Sequence, residues 1–143
     1  MNAVPVTILL IEDDPGHARL IEKNVRRAGV ANDIIHLADG TAALAHMFDR
    51  GEPVKSDPLL VLLDLNLPDM SGTDILARIK ADPVLKRTPV VVLTTTDDRM
   101  EIQRCYDLGC NVYITKPVEY EGFASAIRQL GLFLTVMQVP EPA

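Results

Sequence analysis

The run Leu59-Leu60-Val61-Leu62-Leu63-Asp64-Leu65-Asn66-Leu67-Pro68-Asp69-Met70-Ser71-Gly72 decides the fold. Five apolar residues end on a carboxylate, with Pro58 before them and Pro68-Asp69 after. A run that short, apolar at every position rather than at alternate ones, predicts a strand buried on both faces. Such strands belong to parallel sheets covered by helices on either side. Asp64 then stands at the carboxyl end of a central strand, where open α/β sheets bind their ligands. A lone Asp there more often ends a strand or caps a turn; the rest of the chain changes that balance.

The chain has 143 residues, 48% of them hydrophobic and 24% charged, in keeping with one globular domain and a substantial core. A net charge of −6, with no Lys/Arg run, argues against a nucleic-acid surface. No basic segment precedes an apolar stretch at the start, and no run approaches the ~20 apolar residues that span a bilayer. These features predict a cytoplasmic protein without membrane insertion. Cys105 and Cys110 are too far apart for a CxxC pair and read as free, buried thiols.

Outward from the central run, alternation is regular. Thr7–Ile11 is a second apolar strand, ending on Glu12-Asp13-Asp14, with Pro15-Gly16 as the turn. A helix over 17–27 faces Ala18, Ile21 and Val25 inward and stops at Gly29. Strand 34–37 and a helix from Asp39-Gly40 to about Arg50 follow, then a polar loop over 51–58. Ser71 or Gly72 opens a helix that Asp82-Pro83 terminates. Strand 90–94, helix 99–108 capped by Asp97-Asp98, strand 112–115 and a last helix over about 120–138 complete the chain. The expectation is a doubly wound, five-stranded parallel sheet of flavodoxin-like order 2-1-3-4-5 with five helices, the last extended.

In that order strands one and three are neighbours, so Glu12, Asp13 and Asp64 converge at one edge. Carboxylates so close raise one another's pKa unless a cation neutralises them. Oxygen-only ligands favour a hard ion such as Mg²⁺. The fourth strand brings the Thr94 hydroxyl to that edge and the fifth the Lys116 ammonium. Acids, metal, hydroxyl and lysine together suit phosphoryl transfer onto a carboxylate, with Asp64 attacking in line.

These residues carry a resemblance. The acids at 12–13, Asp64 in its strand-turn run through Gly72, Thr94, and Lys116-Pro117 resemble the receiver domain of bacterial two-component response regulators, from about Thr7 to about Leu130. The resemblance implies transfer of a phosphoryl group from a sensor histidine kinase's phosphohistidine to Asp64, with Mg²⁺ (or Mn²⁺) held by Asp13, Asp64, the Asn66 backbone carbonyl and, through water, Glu12. It implies that Lys116 bridges phosphoryl oxygens across a cis Lys116–Pro117 bond, and that Thr94 and Tyr113 form the switch. Asn66 and Thr96 resemble positions that tune the phosphate's lifetime. Such a protein is a phosphoacceptor rather than an enzyme with a separate substrate. The Glu12–Leu20 opening, the 51–58 loop and the apolar tail resemble the narrower group of stand-alone regulators paired with bacterial phytochromes.

The whole chain, 1–143, reads as one receiver, with a core over about 7–130 and an apolar extension over 131–143, without an output domain. Its output is then a contact with an unidentified downstream protein or a relay step. From Leu130 on, Leu132, Phe133, Val136 and Val139 add apolar groups outside the core-facing stripe of Phe123, Ala124, Ile127, Leu130, Leu134 and Met137. A helix apolar all round must be covered, which predicts a homodimer through the last helix and fifth-strand side. Competing readings are a chemotaxis-type motor-binding regulator and a regulator whose kinase senses a stimulus other than light. An aspartate-nucleophile phosphatase is disfavoured, because position 66 is Asn where that class needs a second Asp. No Gly-rich turn follows the first strand, which argues against a Rossmann domain.

Overall fold

The computed structural model describes residues 6–27, 29–49 and 58–116. Five parallel strands form one sheet in the order β2-β1-β3-β4-β5. They are β1 (Thr7–Ile11), β2 (Ile34–Leu37), β3 (Leu59–Leu63), β4 (Val90–Thr94) and β5 (Val112–Thr115). Four helices are described: α1 (Pro15–Arg27), α2 (Gly40–Phe48), α3 (Gly72–Ala81) and α4 (Arg99–Leu108). The expected fifth helix, the 51–57 part of the polar loop, the Lys116–Pro117 bond and the apolar extension lie outside the described residues.

The apolar runs are buried on both faces, as their lack of alternation requires. Every residue of β3 and β4 is buried. Side chains at Leu9, Ile11, Val61, Leu63, Val90 and Val92 point to one face, where α2, α3 and α4 bring Ala43, Met47, Ile75, Leu76, Ile79 and Cys105. Ile8, Leu10, Leu60, Leu62, Val91 and Leu93 point to the other, where α1 brings Ala18, Ile21 and Val25. Burying one such side chain is worth roughly 1.5–3 kcal/mol. The two layers therefore fix which strand ends lie together.

Helix ends follow local chemistry, with two differences from expectation. The first is α1, which begins at Pro15 rather than after it: Asp14 Oδ1 accepts from His17 N at 3.0 Å. Proline's missing N–H costs nothing at a first helical position. The second is α2, which stops at Phe48, short of Arg50, where the Asp49 N–H closes onto the Ala45 carbonyl. Ser71 caps α3, and Asp98 caps α4 by accepting from Met100 N at 3.1 Å. α4 ends on Gly109 at φ 108°, a left-handed conformation that a side chain would strain. A 3₁₀ turn over Leu85–Arg87, unanticipated from sequence, is held by Asp82 Oδ2 accepting from Val84 N and Leu85 N. No helix among the described residues is long and apolar enough to cross a membrane.

Candidate functional site

The strands end in step, and that register builds the site. Ile11 is level with Leu63, and Thr94 with Thr115. Backbone hydrogen bonds extend the sheet just past these pairs: Asp64 N donates to Ile11 O at 2.9 Å, and Glu12 N to Leu37 O at 3.0 Å. Glu12, Asp64 and Lys116 each directly follow a strand, so all three emerge at the carboxyl edge.

Glu12, Asp13 and Asp64 offer carboxylate oxygens within 4.8 Å of one another; Glu12 and Asp64 are buried and Asp13 is exposed. The Lys116 ammonium donates to Glu12 Oε1 and stands 3.5 Å from Asp64 Oδ2. Burial pushes the Glu12 carboxyl above its ordinary value, opposed by the Lys116 hydrogen bond. One ammonium faces three carboxylates, an imbalance that a divalent cation would close. The donors are all hard oxygens, the set that Mg²⁺ and Mn²⁺ take. The residues therefore fit a small divalent cation.

The loop after β3 folds back on Asp64. Gly72 N donates to Leu65 O at 2.9 Å, and Asn66 pairs with Ser71 in an antiparallel bridge. A Cβ on Gly72 would stand 2.5 Å from the Asp64 carbonyl oxygen and 2.6 Å from Leu65 Cα. Only glycine lets this loop close so tightly. Asn66 N donates to Asp64 Oδ1 at 3.1 Å, and Asn66 Nδ2 reaches Thr94 Oγ1 at 3.2 Å. The loop, with Asp13, lines an open cleft of about 580 Å³.

Thr94 is fully buried, and its carbonyl accepts from Lys116 N at 2.6 Å. Tyr113 lies half-buried on β5, and its hydroxyl donates to Thr96 O at 2.7 Å. Burial pushes the phenol up to about 12, so it stays a donor. The structure thus brings Glu12, Asp13, Asp64, Asn66, Thr94 and Lys116 to one edge, with Tyr113 anchored to the segment that follows Thr94.

Three contacts were missed from sequence because each joins distant positions. Asp69 accepts from Gly40 N and Thr41 N, both at 2.8 Å, and from Thr41 Oγ1 at 2.5 Å, so the loop beside Asp64 caps α2. These donors hold its carboxyl down to about 2. His36 Nε2 lies 2.7 Å from the Glu12 carbonyl, and His17 Nδ1 3.3 Å from Lys116 Nζ. The acid-bearing P-D-M-S-G run and the position of His17 just past the acidic turn were the only available signals.

Residues 8–128 match the response regulator receiver domain family. The chain belongs to this family, whose members are signalling proteins of two-component systems. Within it, a receiver domain from Rhodospirillum rubrum is 66% identical, with a TM-score of 0.81 over 96% of this chain and 99% of that one. The phosphorylated cyanobacterial phytochrome response regulator RcpA is 36% identical, with a TM-score of 0.79 over 97% and 99%. Response regulator Rcp1 of Synechocystis is 43% identical over 78% of this chain and 77% of its own. Its Mn²⁺-bound crystal structure superposes with a TM-score of 0.77 at 37% identity, over 97% and 100%. Among receivers, the chain thus resembles a phytochrome response regulator as well as Rcp1.

Proposed function

We propose that the chain accepts a phosphoryl group on Asp64 from the phosphohistidine of a sensor histidine kinase and signals through the conformation that follows. One observation carries this: Asp64 shares an edge with two further acids and with the Lys116 ammonium, 3.5 Å from its Oδ2. An Asp64 oxygen forms the new P–O bond as the P–N bond to the donor imidazole breaks, the electron pair staying on the departing nitrogen. Lys116 meets the negative charge of the phosphoryl oxygens. Asp13, Asp64 and the Asn66 carbonyl, with Glu12 through water, would hold Mg²⁺ or Mn²⁺. The bound ion neutralises phosphoryl charge and orients the group for in-line attack. The Mn²⁺ bound by Rcp1 supports this reading.

The switch follows from the same contacts. Thr94 Oγ1 accepts from Asn66, and a hydroxyl that accepts can also donate its own proton to a new anionic group. A shift of Thr94 moves the start of the segment whose Thr96 carbonyl holds the Tyr113 hydroxyl. Tyr113 repacks in response, and the changed β4–β5 surface is what a downstream protein reads. The likeness to RcpA and Rcp1 supports a kinase of the bacteriophytochrome type. The apolar residues at 130–139 support a homodimer through the last helix and fifth-strand side. Membership of a family of two-component signalling receivers supports a cytoplasmic protein acting by protein contact.

The test is direct transfer. A bacteriophytochrome-type kinase, charged with labelled ATP and freed of nucleotide, is mixed with the chain and Mg²⁺. Label should pass to the wild-type chain and not to an Asp64→Asn variant. Retention of all label on the kinase would refute the pairing; equal transfer to the variant would refute Asp64.

A further inference from the structure

His17 lies in the first turn of α1, in a segment that the proposed chemistry leaves without a role. Its side chain is 47% exposed, so packing does not explain it. Three protein acceptors surround the Lys116 ammonium: the Glu12 carboxylate, Asp64 Oδ2 at 3.5 Å, and His17 Nδ1 at 3.3 Å. An ammonium carries three protons and no lone pair, so it must be the donor to His17. Nδ1 therefore presents its lone pair, and the ring's proton sits on Nε2. The geometry points to His17 as a positioning residue: its neutral imidazole holds the Lys116 ammonium over Asp64 for phosphoryl acceptance.

Two features of the site favour this role. Glu12 alone would draw the ammonium down toward the buried end of the cluster. His17 pulls from the exposed side, and the two acceptors together leave the third proton for the position beside Asp64 Oδ2. Hydrogen bonds to the Asp14 side chain and carbonyl also hold the backbone at His17. Asp14 accepts from the His17 N–H at 3.0 Å, and Ala18 N donates to Asp14 O at 2.9 Å. The ring thus approaches from a helix start held by hydrogen bonds to Asp14. It touches no carboxylate oxygen closer than 3.9 Å, so it acts on the lysine rather than on the acids. This inference rests on Asp64 being the phosphoacceptor.

The test compares wild type, His17→Ala and His17→Asn with a small phosphodonor, acetyl phosphate, at saturating Mg²⁺. Asn places its Oδ1 as many bonds from the backbone as Nδ1, so it restores an acceptor without a ring. His17→Ala should lower the maximal rate of phosphoryl gain about tenfold, the worth of one hydrogen bond to a charged group. The Mg²⁺ dissociation constant by calorimetry and the melting temperature should stay unchanged, and His17→Asn should recover most of the rate. In a Lys116→Ala background, His17→Ala should have no further effect. An unchanged rate in His17→Ala overturns the inference, as does a loss matched by weaker Mg²⁺ binding, failure of His17→Asn to recover, or an equal loss without Lys116. Gain of phosphate by an Asp64→Asn control would instead overturn the phosphoacceptor itself.

Discussion

At the scale of single residues, Gly72 is as demanding as Asp64. Asp64 needs a carboxylate in a set position, and Gly72 provides the room in which its backbone lies. Any side chain at 72 would press on the Asp64 carbonyl oxygen and on Leu65 Cα, both backbone atoms that cannot rotate away. Gly72→Ala should therefore destabilise by about 1–3 kcal/mol, the usual cost of overpacking, and slow phosphoryl gain. Gly40→Ala is the contrast, because the atoms nearest its new Cβ belong to the flexible Met70 side chain rather than to backbone. Chemical denaturation of both variants checks this; equal stabilities would contradict the steric account. Asp64, Thr94 and Lys116 were legible in the sequence because each directly ends or follows an apolar strand, and strand order then places them. The crowding at Gly72 was not legible, since the motif shows a glycine but not which backbone it meets. His17 and His36 were unreadable for a related reason: their partners lie 99 and 24 positions away.

Among elements, α2 depends on a carboxylate from outside its own sequence. Asp39 caps it locally, accepting from Ala42 N at 2.7 Å, while Asp69 takes the Gly40 and Thr41 donors from the loop beside Asp64. A carboxylate whose hydrogen-bond donors favour its ionised form is held below its unfolded pKa. The Asp69 carboxyl falls from 3.8 to about 2 on folding. Its stabilisation is therefore complete above 3.8 and disappears as pH falls toward about 2. Asp69→Ala should melt below wild type near neutrality, with the difference closing across that acid window. Salt should shrink the gap, because the carboxylate is exposed. A difference independent of pH would show that Asp69 acts by packing alone. Strands were readable end to end, and in β1, β3 and β4 the near-continuous apolar runs leave no choice of face. Helix ends were readable where Ser71, Asp98 and Gly109 act locally. They slipped at α1 and α2, where a proline within the helix and a backbone closure at Asp49 shifted the boundary.

At the scale of the whole molecule, two layers of helix around one parallel sheet bring three acids, a hydroxyl and a lysine to a single edge. The fold class and strand order were legible because strands alternating with helices admit few topologies, and the switch-point rule locates the site within them. Assembly belongs to this scale too. The apolar excess over residues 130–139 predicts a dimer in sedimentation at tens of micromolar, which replacement of Leu132, Phe133 and Val136 by polar residues should dissociate without loss of phosphoryl acceptance. A monomer at that concentration, phosphorylated or not, would contradict it. All of these expectations depend on where the phosphoryl group goes. Intact mass, after incubation with acetyl phosphate and Mg²⁺, tests that most directly. The wild-type chain should gain one hydroxylamine-labile phosphoryl group and lose the gain when Mg²⁺ is chelated, and Asp64→Asn should gain none. A stable adduct, or the same gain in Asp64→Asn, would contradict the account.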